Sequence, residues 1–169
     1  SEVFGPSFRG NLFSCLFNMR KVMRHRLTAD GATFTSEDLD FVISDQVDFH
    51  PTDVQEDADG SLLILDTGGW YKLCCPTSVI AKPEVLGGIY RVRRKNAKAP
   101  SDPRGARIGW AKLDGAALVD LLKDPRPKVR DRAVASLGGK GNAALGPLRA
   151  ALTQSQSKEQ ALGALWSLA

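Results

Sequence analysis

Hydrophobic and polar positions divide the chain into a first half that repeats about every two residues and a second half that repeats about every 3.6. Asn11 to Phe17 is an almost continuous apolar run, the pattern of a strand covered on both faces. Arg20 to Thr28 alternates instead, with Val22, Arg24, Arg26 and Thr28 on one face and Met23, His25 and Leu27 on the other. Ala29-Asp30-Gly31 turns the chain, since glycine enters positive φ without strain. Ala32 to Thr35 and Phe41 to Ser44 are expected to be short strands on either side of an acidic turn at Glu37-Asp38. Thr52 to Glu56 and Ser61 to Asp66 flank Asp57-Ala58-Asp59-Gly60, a hairpin signal that explains these acids better than an incomplete calcium loop does. Thr67-Gly68-Gly69 ends the return strand, Trp70 to Leu86 has no period, and Gly88 to Arg94 reads as one more strand.

After Lys112 the pattern is helical. Asp114 is placed to cap a helix with Ala117, Leu118, Leu121 and Leu122 on one face. Asp124-Pro125-Arg126-Pro127 stops it, and Pro127 suits the first turn of a second helix carrying Val129, Ala133, Val134 and Leu137. A third helix is expected from about Asn142 through Leu145, Leu148 and Leu152. A fourth, over about Ser157 to Leu168, would turn Ala161, Leu162, Leu165 and Leu168 inward. Arg132-Ala133-Val134-Ala135-Ser136-Leu137 aligns with Gln160-Ala161-Leu162-Gly163-Ala164-Leu165, an internal repeat of helical hairpins that implies an array continuing past Ala169. In that register Leu137→Asp should unfold the helical part, and Arg132→Ala should be nearly silent.

Of 169 residues, 43% are hydrophobic and 25% charged, a soluble globular composition with no apolar run approaching the roughly 20 residues that span a bilayer. Neither an initiator methionine nor a signal peptide is present, as expected if the true N-terminus lies upstream. The net charge of +4 is concentrated between Arg91 and Lys112, where Asp102 is the only acid. Such a cluster is either an anion-binding patch or a solvated linker. Ala-Lys-Ala-Pro-Ser-Asp-Pro, without interleaved aromatics, favours the linker, so no nucleic-acid partner is expected. Cys74 and Cys75 are adjacent, and either could pair only with Cys15. With His25 and His50 the only histidines, no metal site is expected.

Asp124 to Gly138 resembles the second helix of a HEAT repeat and the turn before it, through Asp124-Pro125, Val129-Arg130 and Ala133…Leu137. Gly10 to Arg94 resembles the last propeller stretch of bacterial PVC-type haem-binding proteins, described as membrane-bound dehydrogenases. The segments that carry it, in order, are Gly10-Asn11-Leu12-Phe13, Phe49 to Val54, Asp57 to Leu63, Asp66 to Tyr71, Leu73 to Ser78 and Gly88 to Arg93. These proteins are similar to soluble quinone-dependent sugar dehydrogenases. The resemblance implies a β-propeller segment of antiparallel, incomplete blades followed by an α-helical HEAT-type solenoid. The expected divisions are a partial propeller over 1–95, a basic linker over 96–113 and two HEAT-like hairpins over 114–169. With four strands to a blade, the first division holds about one and three-quarter blades. The missing strand would come from the rest of the parent propeller, and the helices would offer a surface to a protein partner.

By the same resemblance the parent is a periplasmic or secreted sugar or alcohol dehydrogenase using a quinone and a c-type haem. No cofactor is evident in this segment itself, and Cys-x-x-Cys-His is absent. Loops at one mouth of a propeller channel would gather His50 and Asp53 as base and orienting carboxylate. Arg20 or Arg24 would hold an anionic quinone or a substrate carboxylate, with Asp66, Trp70 and Tyr71 lining the site. Each has a plainer structural reading: His50 and the aspartates as turn residues, the aromatics as packing. The other function class is a non-catalytic binding or scaffold protein, since propellers and solenoids host both.

Overall fold

A computed structural model describes residues 3–69, 82 and 84–169. The chain divides into two compact units, Ser1–Lys98 and Ala99–Ala169. In the first, β1 (Leu12–Leu16), β2 (Lys21–Asp30) and β3 (Thr33–Ile43) form an antiparallel sheet in that order. Glu37 and Asp38, expected as a turn, lie inside a continuous β3. The reason is charge pairing across the ladder. Arg26 meets Glu37 at 2.8 Å, His25 meets Asp38 at 2.8 Å, and Lys21 meets Asp40 at 2.7 Å. The second sheet pairs β4 (Pro51–Glu56), β5 (Leu62–Asp66) and β6 (Gly88–Val92), also antiparallel and in that order.

The core of this unit is Val22, Phe49 and Ile64, with Phe13, Cys15, Phe41, Val42, Val54 and Val92 packed around them. Phe4, Phe8, Phe13 and Phe41 extend it as a chain of tilted and edge-on rings whose centroids lie 5.0–6.3 Å apart.

The propeller expectation is overturned. Each sheet has three strands among the described residues and neither closes. β2 and β3 run ten and eleven residues beside a five-residue β1, so the hairpin continues past its neighbour and every residue from Arg26 to Asp38 is exposed. A propeller blade is a four-stranded sheet set beside the next blade around a channel. Two open three-stranded sheets, one with a hairpin that runs out into solvent, do not make that layering.

The helical unit contains α1 (Gly115–Asp120), α2 (Pro127–Gly138), α3 (Leu145–Gln154) and α4 (Lys158–Leu168). Asp114 caps α1 by accepting the Ala117 N–H at 2.8 Å, and Ser157 caps α4 by accepting that of Gln160 at 3.2 Å. Pro127 opens α2. Asp124 grips Arg126 through two hydrogen bonds, from Nε at 2.8 Å and Nη2 at 2.7 Å, which holds its carboxyl below the usual range.

No HEAT solenoid is evident either. Leu118, Val119, Leu122, Ala133, Leu137, Ala144, Leu148, Ala151 and Ala164 come from or border all four helices and form one core. The repeat fails in α4. Leu137 of α2 is 1% exposed, while its aligned partner Leu165 is 56% exposed. α4 instead turns Ala164 and Gly163 inward. A Cβ on Gly163 would sit 3.0 Å from Leu122 Cδ2, so the glycine permits a close helix approach. Gln160 Nε2 donates to the Val119 carbonyl at 3.0 Å, satisfying an acceptor at the end of α1. Leu162, Leu165 and Trp166 face outward.

Residues 99–113, within the stretch read as a basic linker, belong to the helical unit. Asp102 accepts the backbone N–H groups of Ala106 and Arg107 at 2.7 and 3.0 Å, and its carbonyl accepts from Arg126 at 3.0 Å. Trp110 and Leu113 pack on the helical core, and Trp110 Nε1 donates to the Gly105 carbonyl at 2.7 Å.

Candidate functional site

His50, the candidate base, follows the Val47-Asp48 turn just before β4 and is 6% exposed. Its Nδ1 lies 2.8 Å from the Gly68 carbonyl and 3.0 Å from the Asp48 carbonyl. Carbonyl oxygens only accept, so the proton sits on Nδ1, and the ring joins two loops. The ring also packs 4.5 Å from Phe17. Asp66, at the end of β5, completes the same joint: its Oδ1 accepts the N–H of His50 and of Gly68, each at 2.8 Å. Gly68 takes φ +62, and a Cβ there would lie 2.7 Å from backbone atoms of 85–87, so only glycine fits against that backbone.

Asp53 stands apart from this joint, exposed on β4, with its carboxylate accepting the Val54 N–H at 2.8 Å. Together with burial, its charge pushes the free Cys15 thiol up from its ordinary value, burial being the larger cause. Arg20 adopts φ +55 to close the turn between β1 and β2, and its carbonyl accepts the Ser44 N–H at 3.1 Å. Arg24 lies on the Phe8 ring at 3.6 Å and donates to Asn11 Oδ1 at 2.5 Å and to the Ser7 carbonyl. Burial there lowers its pKa, with Arg26 adding to the effect. Trp70 and Tyr71, like Cys74 and Cys75, lie outside the described residues. The structure therefore joins His50 with Asp66 and places Asp53, Arg20 and Arg24 elsewhere, each in local hydrogen bonding.

Part of the basic cluster is held at the β4–β5 turn. Arg91 donates to Asp57 at 2.7 Å, to Ser61 Oγ at 2.5 Å and to Asp59 at 3.3 Å, and Arg93 reaches Asp59 at 3.3 Å. The Ser61 hydroxyl, helped by the two arginines, lowers Asp59 to about 2. A depressed carboxylate stabilises the fold above its ordinary range and loses that contribution as pH falls through the folded value. This turn should therefore lose that contribution progressively as pH falls from the ordinary 3.8 to about 2.

One constellation escaped the sequence. Ser14 Oγ lies 2.7 Å from His25 Nε2, His25 Nδ1 lies 2.8 Å from Asp38 Oδ1, and Ser36 Oγ donates to the same carboxylate oxygen at 2.8 Å. Three neighbouring strands supply the three groups. Alternation had put His25 on one face, but its partner emerges only when Glu37-Asp38 is strand rather than turn.

Among the described residues no group of three or more His, Cys, Asp or Glu is arranged to hold a metal ion. Nor is any helix among them long and apolar enough to cross a membrane. The chain matches no protein-family model, no curated protein and no solved structure.

Proposed function

We propose that this chain acts as a binding protein that presents the outward face of α4 to a protein partner. The observation that carries this reading is the inverted helix: Leu162, Leu165 and Trp166 are 45%, 56% and 70% exposed at i, i+3 and i+4 spacing, while Gly163 and Ala164 turn inward. Leu152 of α3 is exposed as well. Apolar side chains grouped on one helix face mark interaction surfaces, and tryptophan is a frequent anchor in them. The burial of His50, 6% exposed against the Phe17 ring, also favours binding over the sugar or alcohol dehydrogenase reading, which needs a histidine that a substrate can reach.

The test uses wild type and Leu165→Asp/Trp166→Asp as paired baits. Any protein retained by the wild type is then purified and titrated against both. The double variant should melt as the wild type does and bind at least about 30-fold more weakly, as loss of a hot spot of about 2 kcal/mol implies. Equal affinities would contradict the surface. Reduction of a dye acceptor by the protein with a soluble quinone and a reducing sugar, abolished by His50→Gln in a folded variant, would restore the dehydrogenase reading.

A further inference from the structure

Separately from the α4 surface, the arrangement of Ser14, His25 and Asp38 bears on reactivity. A carboxylate accepts and does not donate, so the 2.8 Å contact with Asp38 puts the His25 proton on Nδ1. Neutral His25 then offers its Nε2 lone pair to the Ser14 hydroxyl at 2.7 Å. This is the order hydroxyl, imidazole, carboxylate, in which the base is oriented by a third group. The register explains why it forms. His25 stands opposite Leu12 on β1 and opposite Asp38 on β3, and Ser14 is the next residue along β1 on that face. Ser36 steadies the carboxylate from two residues away, and hydrogen bonds from His25 and Ser36 hold Asp38 below the usual range. On the same face Lys21 is paired with Asp40 at 2.7 Å. Half-buried Met23 and the exposed Leu12 leave an apolar margin beside the hydroxyl.

We infer that Ser14 is a base-activated nucleophile toward activated carboxylic esters with a small acyl group, with His25 as the base and Asp38 as its positioning residue. Ser14 Oγ attacks the ester carbon. The Oγ–C bond forms, the bond from that carbon to the leaving oxygen breaks, and the Ser14 proton passes to His25 Nε2 and on to the leaving oxygen. Water later hydrolyses the acyl-serine with the same histidine as base. No oxidant or reductant takes part. Efficient turnover also requires donors aimed at the developing oxyanion, so the expected behaviour is one acylation followed by slow release.

The experiment mixes the full chain with p-nitrophenyl acetate, follows phenolate release and maps acetylated residues by mass spectrometry. The expected result is a burst with acetate on Ser14, absent in Ser14→Ala and slowed on the order of 100-fold in His25→Gln, the loss expected for a positioned general base. Labelling should fall at acid pH, where a protonated imidazole has no lone pair for Ser14. Asp38 is the carboxylate facing the ring from β3, whereas Ser14 and Leu12 face it from β1. Asp38→Asn preserves shape, so it separates positioning from folding: a folded Asp38→Asn protein should acylate more slowly with a displaced pH profile. Acetylation of Ser14 no faster than that of Ser7 or Ser44, or a folded Asp38→Asn protein with an unchanged rate and pH profile, overturns the proposal.

Discussion

Leu137→Asp is expected to unfold the helical unit. Leu137 is 1% exposed in α2, within the core shared by Leu118, Leu122, Ala133, Leu148 and Ala164. The substitution removes about 2–3 kcal/mol of apolar transfer energy. It also places a carboxylate among aliphatic groups with no partner, which costs several kcal/mol more or forces local unfolding. A small unit has only about 5 kcal/mol of stability in total, so the loss is decisive. Circular dichroism at room temperature should show the helical signal largely gone. Arg132→Ala is the comparison. Its sequence position predicts silence, but the guanidinium lies 4.5 Å from the Trp110 ring centroid, so its removal should cost about 0.5–1 kcal/mol and lower the melting temperature by a few degrees. Equal effects of the two substitutions would contradict this core.

His50→Ala should destabilise the sheet unit by about 2–4 kcal/mol. The imidazole fills a site at 6% exposure against Phe17, and its Nδ1–H serves the Gly68 and Asp48 carbonyls. Truncation leaves a cavity and exposed or unsatisfied acceptors, each worth about 1–3 kcal/mol when buried. His50→Asn should recover part of this, because an amide N–H can replace Nδ1–H in reaching one carbonyl. A solution base would show the opposite pattern: unchanged melting and lost reactivity. Denaturant unfolding of the three proteins, followed by the β-sheet circular dichroism signal, distinguishes the two.

The sheets were legible where local chemistry decides. Asp57 to Gly60 announced its hairpin, and the alternation from Arg20 to Thr28 gave β2 and its faces. β3 was misread because Glu37-Asp38 looks like a turn until Arg26 and His25 are known to stand opposite. That register depends on pairing between separate strands, and no local pattern encodes it. The same error hid the Ser14–His25–Asp38 line.

The helices were legible at the Asp114 cap and at Pro127 in the first turn of α2, because both signals depend only on a residue and its near neighbours. The inward face of α4 was not. Its leucines outweigh Gly163 and Ala164 in any count of hydrophobicity, yet the two small residues allow the approach to Leu122, and Gln160 supplies the hydrogen bond to Val119. His50 and Asp66 stood out as residues beside turns, but that their side chains hold the same turn together depends on which groups the fold brings around them. The resemblance to propellers and HEAT arrays rested on short segments in order, and segments alone do not fix strand number or helix stacking.

The orientation of α4 is the point on which the binding surface stands, and parallel thermal melts of Ala164→Asp and Leu165→Asp test it most directly. Ala164 is 0% exposed and Leu165 is 56% exposed. Ala164→Asp should therefore abolish the cooperative helical transition, while Leu165→Asp should melt within about 0.5 kcal/mol of the wild type, as surface substitutions do. The reverse order, with Leu165→Asp unfolding the unit and Ala164→Asp tolerated, would mean that the leucine stripe faces inward and that no apolar surface is offered to a partner.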